Sequence, residues 1–188
     1  MTISREVLKK YSKFSDVFIE TGTHIGNTTQ MAFDVGFKKV YTIELSKHFY
    51  DEALKRFSSN ENIICILGDS TEKLEEILNE LDVPAVFWLD GHWSMGNTAK
   101  GNKAVPILEE LEVIKKHHIK NHVILIDDLR LMGNIEEPIK EWSSISLEDV
   151  KNKCLEINSD YKFSLENGHV PNDILVVNYE GCISAILP

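Results

Sequence analysis

Five short apolar runs punctuate the chain: DVFIE (16–20), VYTIEL (40–45), NIICILG (62–68), AVFWLDG (85–91) and HVILIDD (122–128). They are apolar and β-branched, about the length of a buried strand, and each predicts a strand covered on both faces. The stretches between them have helical spacing instead. STEKLEEILNEL (70–81) places Leu74, Ile77, Leu78 and Leu81 on one face behind the cap candidates Ser70 and Thr71. AVPILEELEVIKKHH (104–118) does the same with Ile107, Leu108, Leu111 and Ile114, and Pro106 sits near the start, where a helix tolerates it. A further helix begins near Thr28, and LEDVKNKCLEIN (147–158) predicts a weaker one. Alternation of this kind is the mark of repeated βαβ units, hence five parallel strands with covering helices. From Tyr161 to Leu187 the pattern changes to strand, turn, strand, turn, strand, with no room for helices, so an antiparallel edge is expected there.

All five runs end on a carboxylate: Glu20, Glu44, Asp69, Asp90 and the pair Asp127 and Asp128. Ligands of open α/β sheets bind beyond the carboxyl ends of the strands, near the switch in strand order, so these residues are expected at one site. Such a cluster suits a ligand rich in hydroxyls and amines, or a divalent cation, better than a bare phosphate. The first strand end, FIETGTHIGNTT (18–29), also carries Gly22 and Gly26 in a strand-to-helix turn, where the backbone needs positive φ or a close approach. A phosphate, a nucleoside cofactor or tight packing could each require that. The stretch has no lysine, which removes a P-loop, and the G-x-x-x-G spacing misses the dinucleotide fingerprint although Glu44 lies at the interval of its ribose acid. S-adenosylmethionine is the alternative, because its sulfonium and ammonium groups favour carboxylates.

Composition narrows the setting. With 188 residues, 43% of them hydrophobic, one core and a single domain over 1–188 are expected. Lys and Arg number 20 against 30 Asp and Glu, a formal charge of −10, which disfavours a nucleic-acid partner. The N-terminal residues contain no apolar signal segment, and no run approaches the ~18 apolar residues that span a bilayer, so a cytoplasmic protein without a membrane partner is expected. Cys65, Cys154 and Cys182 are isolated, odd in number and without CxxC spacing, which predicts core thiols.

Taken in order, these motifs resemble class I S-adenosylmethionine-dependent methyltransferases. FIETGTHIGNTT is similar to their first motif, with His24 where the middle glycine is usual; VYTIEL, LGDS and FWLDGHW resemble the second, third and fourth. The resemblance covers roughly residues 16–179 and implies a Rossmann-like fold. It places Glu20 and Gly22 at the amino-acid end of the cofactor, Glu44 on the ribose hydroxyls, and Asp69 with Ser70 at the adenine; Thr21, Thr23, Gly26, Asn27 and Thr28 are expected to bind the cofactor as well. Asp90 is expected beside the cofactor as well. LDGHW and LIDDLR further resemble the small-molecule O-methyltransferases of the macrocin and catechol type, which implies Mg²⁺ on Asp90, Asp127 and Asp128. The acceptor implied is a hydroxylated small molecule or sugar; a second copy of the chain, forming a homodimer, is the other partner considered.

His92, two residues after Asp90, is the expected general base, since an imidazole titrates near neutral pH; Asp90 is its expected catalytic partner. The loop SMGNTAKGNKA (94–104) is expected to order over substrate, with Lys100 and Lys103 available to an anion. Plainer roles stand beside these: Gly22 and Gly26 as packing glycines, Asp69 as a helix cap, and Trp88 in the core with Trp93 shaping a pocket. His117, His118 and His122 lie by a helix C-terminus, where imidazolium would meet the helix dipole. Two other functions compete with methyl transfer: a nicotinamide-dependent oxidoreductase, and a noncatalytic module that binds S-adenosylmethionine.

Overall fold

The computed structural model describes residues 3–179. In chain order these form α1 (Arg5–Tyr11), β1 (Val17–Thr21), α2 (Asn27–Val35), β2 (Lys39–Glu44), α3 (Lys47–Phe57), β3 (Ile63–Leu67), α4 (Ser70–Asn79), β4 (Val86–Leu89), α5 (Ile107–Lys116), β5 (Val123–Ile126), α6 (Leu147–Ile157), β6 (Tyr161–Glu166) and β7 (Ile174–Tyr179). Two short 3-10 turns, Leu129–Leu131 and Lys140–Ser144, lie between β5 and α6. The seven-stranded sheet runs β3-β2-β1-β4-β5-β7-β6. β1 to β5 are parallel; β7 is antiparallel to β5, and β6 to β7. This is a Rossmann-like α/β fold with the expected reversed edge. The third antiparallel strand read from the sequence falls on residues outside those described.

Both faces of the sheet are covered, which is why the strands read as unbroken apolar runs. Phe18 belongs to the core under α1, α2 and α3, whereas its neighbours Val17 and Ile19 belong to the core under α4, α5 and α6. All of β1, β4 and β5 is buried. Trp88 is fully enclosed, as is Cys154, and Cys65 is half-buried. Helix ends follow local chemistry. Asp69 caps α4 by accepting the Thr71 N–H, and Ser146 and Asp149 form a reciprocal capping box on α6. Among the described strands only β6, at one edge of the sheet, has exposed residues: Lys162, Ser164 and Leu165.

The strand order reverses between β1 and β4. In register, Thr21 pairs with Ile43 of β2 on one side and Leu89 of β4 on the other, so Gly22, Glu44 and Asp90 leave the sheet side by side. Gly22 shows how close these ends come. Its φ is +87°, and a Cβ there would overlap the Asp90 carbonyl oxygen.

Candidate active site

An open cleft of about 840 Å³ lies over these carboxyl ends, towards the upper end of the usual size for a small-molecule site. Gly22, Glu44, Asp69, Ser70 and Asp90 line it, as do His92, Trp93 and Asp128. The other expected cofactor residues do not. Glu20 follows Ile19 by one position and so points to the opposite face, into the layer beneath α2, where its Oε2 accepts the hydroxyls of Thr29 (2.5 Å) and Thr42 (2.7 Å). Burial there pushes its carboxyl up to about 7. Thr21 is buried and accepts the Asp90 N–H at 3.2 Å, and Thr23 shares a 2.5 Å hydroxyl bond with Thr42. Gly26, at φ +75°, is left-handed because the chain turns into α2 against the Phe57 ring. Asn27 accepts a bond from Arg56, and Thr28 is half-buried on α2. These residues build the turn from behind.

Glu44 faces the cleft with its geometry fixed. Its Oε2 accepts the His24 N–H and its Oε1 the Ser46 N–H, both at 2.7 Å. Each oxygen keeps a second lone pair for a ligand hydroxyl. Asp69 combines the two roles read for it: Oδ1 caps α4, and Oδ2 lies against Gly101 of the loop that crosses the cleft.

At the other end His92 stands between two carboxylates. Its Nε2 is 3.1 Å from Asp128 Oδ2, its Nδ1 is 3.5 Å from Asp90 Oδ1, and its ring meets Trp142 edge-on at 5.3 Å. Burial lowers the His92 pKa, and Asp128 partly offsets that. Burial raises Asp90 well above the usual carboxylate range, reinforced by Asp127 and Asp128. Arg130 bridges Asp128 to Asp173 through one guanidinium nitrogen, fixing Asp128 in its left-handed conformation at φ 60°.

The expected metal trio is divided by this arrangement. Ligand atoms of Asp90, His92 and Asp128 lie within 4.8 Å of one another, and so do those of Asp127, Asp128 and Asp173. Asp128 belongs to both sets, whereas Asp127 is buried and lines a small void beneath the cleft floor, beside Asp90, His92 and Glu110. The cleft-facing set can accept a divalent ion, with an imidazole nitrogen added to oxygen donors.

Other expectations change with the packing. Lys100 lies over the Trp93 ring and 3.9 Å from Glu141, and Lys103 lines the cleft while lying 3.5 Å from Glu109. His117 and His122 are a buried pair and not exposed imidazolium ions. Ala85 N–H donates to His122 Nδ1 (3.0 Å), which leaves His122 Nε2–H to donate to His117 Nδ1 (2.9 Å) and His117 Nε2–H to donate to the Leu81 carbonyl (2.8 Å). Burial lowers both, His122 to about 3.

Glu110, Arg130, Trp142 and Asp173 were not singled out in the sequence. Glu110 had a signal: it lies three residues after Ile107 and four before Ile114, on the apolar stripe of α5. It is buried beneath Gly91, and desolvation raises its carboxyl to about 7 against the Ser70 and Thr21 hydroxyls beside it. Asp173 and Arg130 meet only through the fold, from either side of the reversed hairpin.

No family profile matches the chain, and no curated protein is a significant match. Solved structures do match in fold. The SAH-bound methyltransferase PaMTH1 of Podospora anserina superposes with a TM-score of 0.60 at 12% identity, over 94% of this chain and 77% of that one. An O-methyltransferase of Bacillus cereus, in complex with SAH, gives 0.57 at 16%, over 94% and 82%. An rRNA methylase of Streptococcus thermophilus gives 0.55 at 15%, over 93% of each chain. The fold is that of class I S-adenosylmethionine-dependent methyltransferases. Among the described residues no helix is long and apolar enough to cross a membrane.

Proposed function

We propose that the chain is an S-adenosylmethionine-dependent methyltransferase that transfers the methyl group to a hydroxyl of a small molecule or sugar. The observation that carries this reading is the cleft in which Gly22, Glu44 and Asp69 at one end meet Asp90 and His92 at the other. A nicotinamide oxidoreductase fits less well: its fold has the order 3-2-1-4-5-6, whereas here a reversed β7 is inserted between β5 and β6.

S-adenosylmethionine would supply an activated methyl group on a sulfonium centre. Glu44, its carboxylate already oriented by two backbone N–H groups, accepts the ribose hydroxyls, and Asp69 with Ser70 borders the adenine. Nε2 lies 3.1 Å from Asp128 Oδ2 and bonds the Ser94 hydroxyl at 3.3 Å, and Nδ1, on the Asp90 side of the cleft, is the atom assigned as base. There the acceptor hydroxyl gives up its proton to Nδ1, while Asp90 and Trp142 hold the ring and limit water. A divalent ion such as Mg²⁺, if bound, would be held by Asp90, His92 and Asp128 and would polarise the acceptor oxygen. In that case His92 is a ligand and not the base.

The test is calorimetric titration with SAH and with NAD, followed by a mass-spectrometric screen of hydroxylated acceptors with labelled methyl donor. SAH binding with methyl transfer is expected. NAD binding in its place would refute the reading, and SAH binding without transfer to any acceptor would favour the noncatalytic module.

A further inference from the structure

The loop from His92 to Ala104 runs the length of the cleft. Its neck is closed by the Trp93 N–H donating to the Ala104 carbonyl at 2.7 Å. Inside, Thr98 organises the bend. Its hydroxyl donates to the Met95 carbonyl (2.7 Å) and accepts the Ser94 N–H (3.3 Å), while Trp93 Nε1–H donates to the Thr98 carbonyl (3.2 Å). Glu141, outside the cleft, pins the C-terminal arm by accepting the N–H groups of Ala104 (2.7 Å) and Val105 (3.1 Å) through Oε2. The tip then reaches the far strand ends. A Cβ on Gly101 would lie 2.6 Å from Asp69 Oδ2 and 3.4 Å from Leu45 Cδ2.

We propose that the 93–104 loop is a latch over the adenosine end of the cleft, and that Gly101 is the positioning residue that seats it on Asp69. The inference rests on the reading of this cleft as the cofactor site. A side chain at 101 would displace either the Asp69 carboxylate oxygen or the loop tip, and Asp69 is tied in place through Oδ1 by Thr71, so a bulky residue there lifts the tip. A ligand lying between Asp69 and Glu44 is enclosed by the tip, and it leaves only when the tip lifts. The same loop carries Trp93 at its base and follows directly on His92.

The experiment uses SAH as probe and needs no acceptor. Calorimetry first establishes SAH binding to the wild-type protein and variants, with circular dichroism checking their fold. Trypsin then reads the loop through Lys100 and Lys103, both exposed, and stopped-flow displacement reads SAH release. Saturating SAH is expected to slow cleavage after both lysines at least fivefold. Gly101→Val and Glu141→Ala should each release SAH at least fivefold faster and lose most of that protection. Glu141→Gln, which keeps an accepting oxygen, should stay within twofold of wild type. If SAH binds the wild-type protein but cleavage is unchanged, or both disrupting variants release it at the wild-type rate, the latch is refuted while the cofactor reading stands. Absence of SAH binding would overturn that reading and the latch with it.

Discussion

Replacing His122 with asparagine should flatten the acid side of the stability profile. The imidazole is fully buried and neutral, accepting the Ala85 N–H at Nδ1, and its pKa lies at about 3. In the unfolded chain it returns to about 6.5. The folded state therefore binds fewer protons than the unfolded state, so stability falls as pH falls, beginning below about 6.5 and levelling only near 3. At pH 5 the unfolded state is favoured by a factor of about 33, which is RT ln 33 or about 2 kcal/mol from this residue, a large share of a typical domain's total. Asparagine keeps an acceptor for Ala85 but gives up the bond to His117, so a loss of about 1 kcal/mol is expected at pH 7.5. The measurement is urea unfolding of both proteins at pH 7.5 and 5.0. Carboxylates common to both cancel in the difference, so the wild-type protein should lose about 2 kcal/mol more than the variant on acidification. Equal losses, or an NMR titration placing folded His122 near 6.5, would refute the buried neutral pair.

Glu44→Ala should weaken SAH binding by about 1–3 kcal/mol through lost charge-assisted hydrogen bonds, read by calorimetry; unchanged affinity would remove Glu44 from the site. Gly22→Ala should cost about 2–4 kcal/mol in urea unfolding, because the methyl group meets backbone at a positive φ, and wild-type stability would show that the turn yields. His92→Ala should slow methyl transfer while leaving SAH affinity within twofold, since its proton transfer concerns the acceptor; a parallel loss of affinity would make it a cofactor residue. If a divalent ion is held by Asp90, His92 and Asp128, Mg²⁺ should raise the thermal midpoint and Asp128→Asn should reduce that gain. Full transfer activity in EDTA, with no metal by elemental analysis, would exclude it.

The parallel strands and their order of helices were legible because burial on both faces leaves long apolar runs, and because Leu74, Ile77 and Leu78 repeat at helical spacing. α1 was not read: seven residues are too few for periodicity, and its Ser4 cap is the only local sign. At the site, the strand-end carboxylates were visible but the direction of each was not. Glu20 and Thr21 adjoin in sequence, yet one joins the hydroxyls under α2 and the other the Asp90 backbone. That choice depends on which face each residue presents after a parallel strand ends. The Arg130 bridge and the His117 and His122 pair were hidden for a related reason. The groups that fix them, Ala85 and Leu81 for the histidines and Asp173 for Arg130, come from distant segments, and no spacing along the chain encodes a contact between Arg130 and Asp173, 43 residues apart.

The contact between Gly22 and the Asp90 carbonyl divides the cleft into a wall that can be rewritten and one that cannot. Where the obstacle is main chain, no repacking of neighbours makes room, so residue 22 is closed to variation for as long as β1 and β4 are adjacent. The opposite wall is built from Arg130, Leu131, Glu137, Pro138, Ile139 and Trp142, on a stretch of turns whose side chains are mostly half-buried or exposed. Directed evolution towards new acceptors should therefore be aimed at positions 131–139. There a library can change size and polarity opposite His92 while the half of the cleft bounded by Gly22, Glu44 and Asp69 is inherited unaltered.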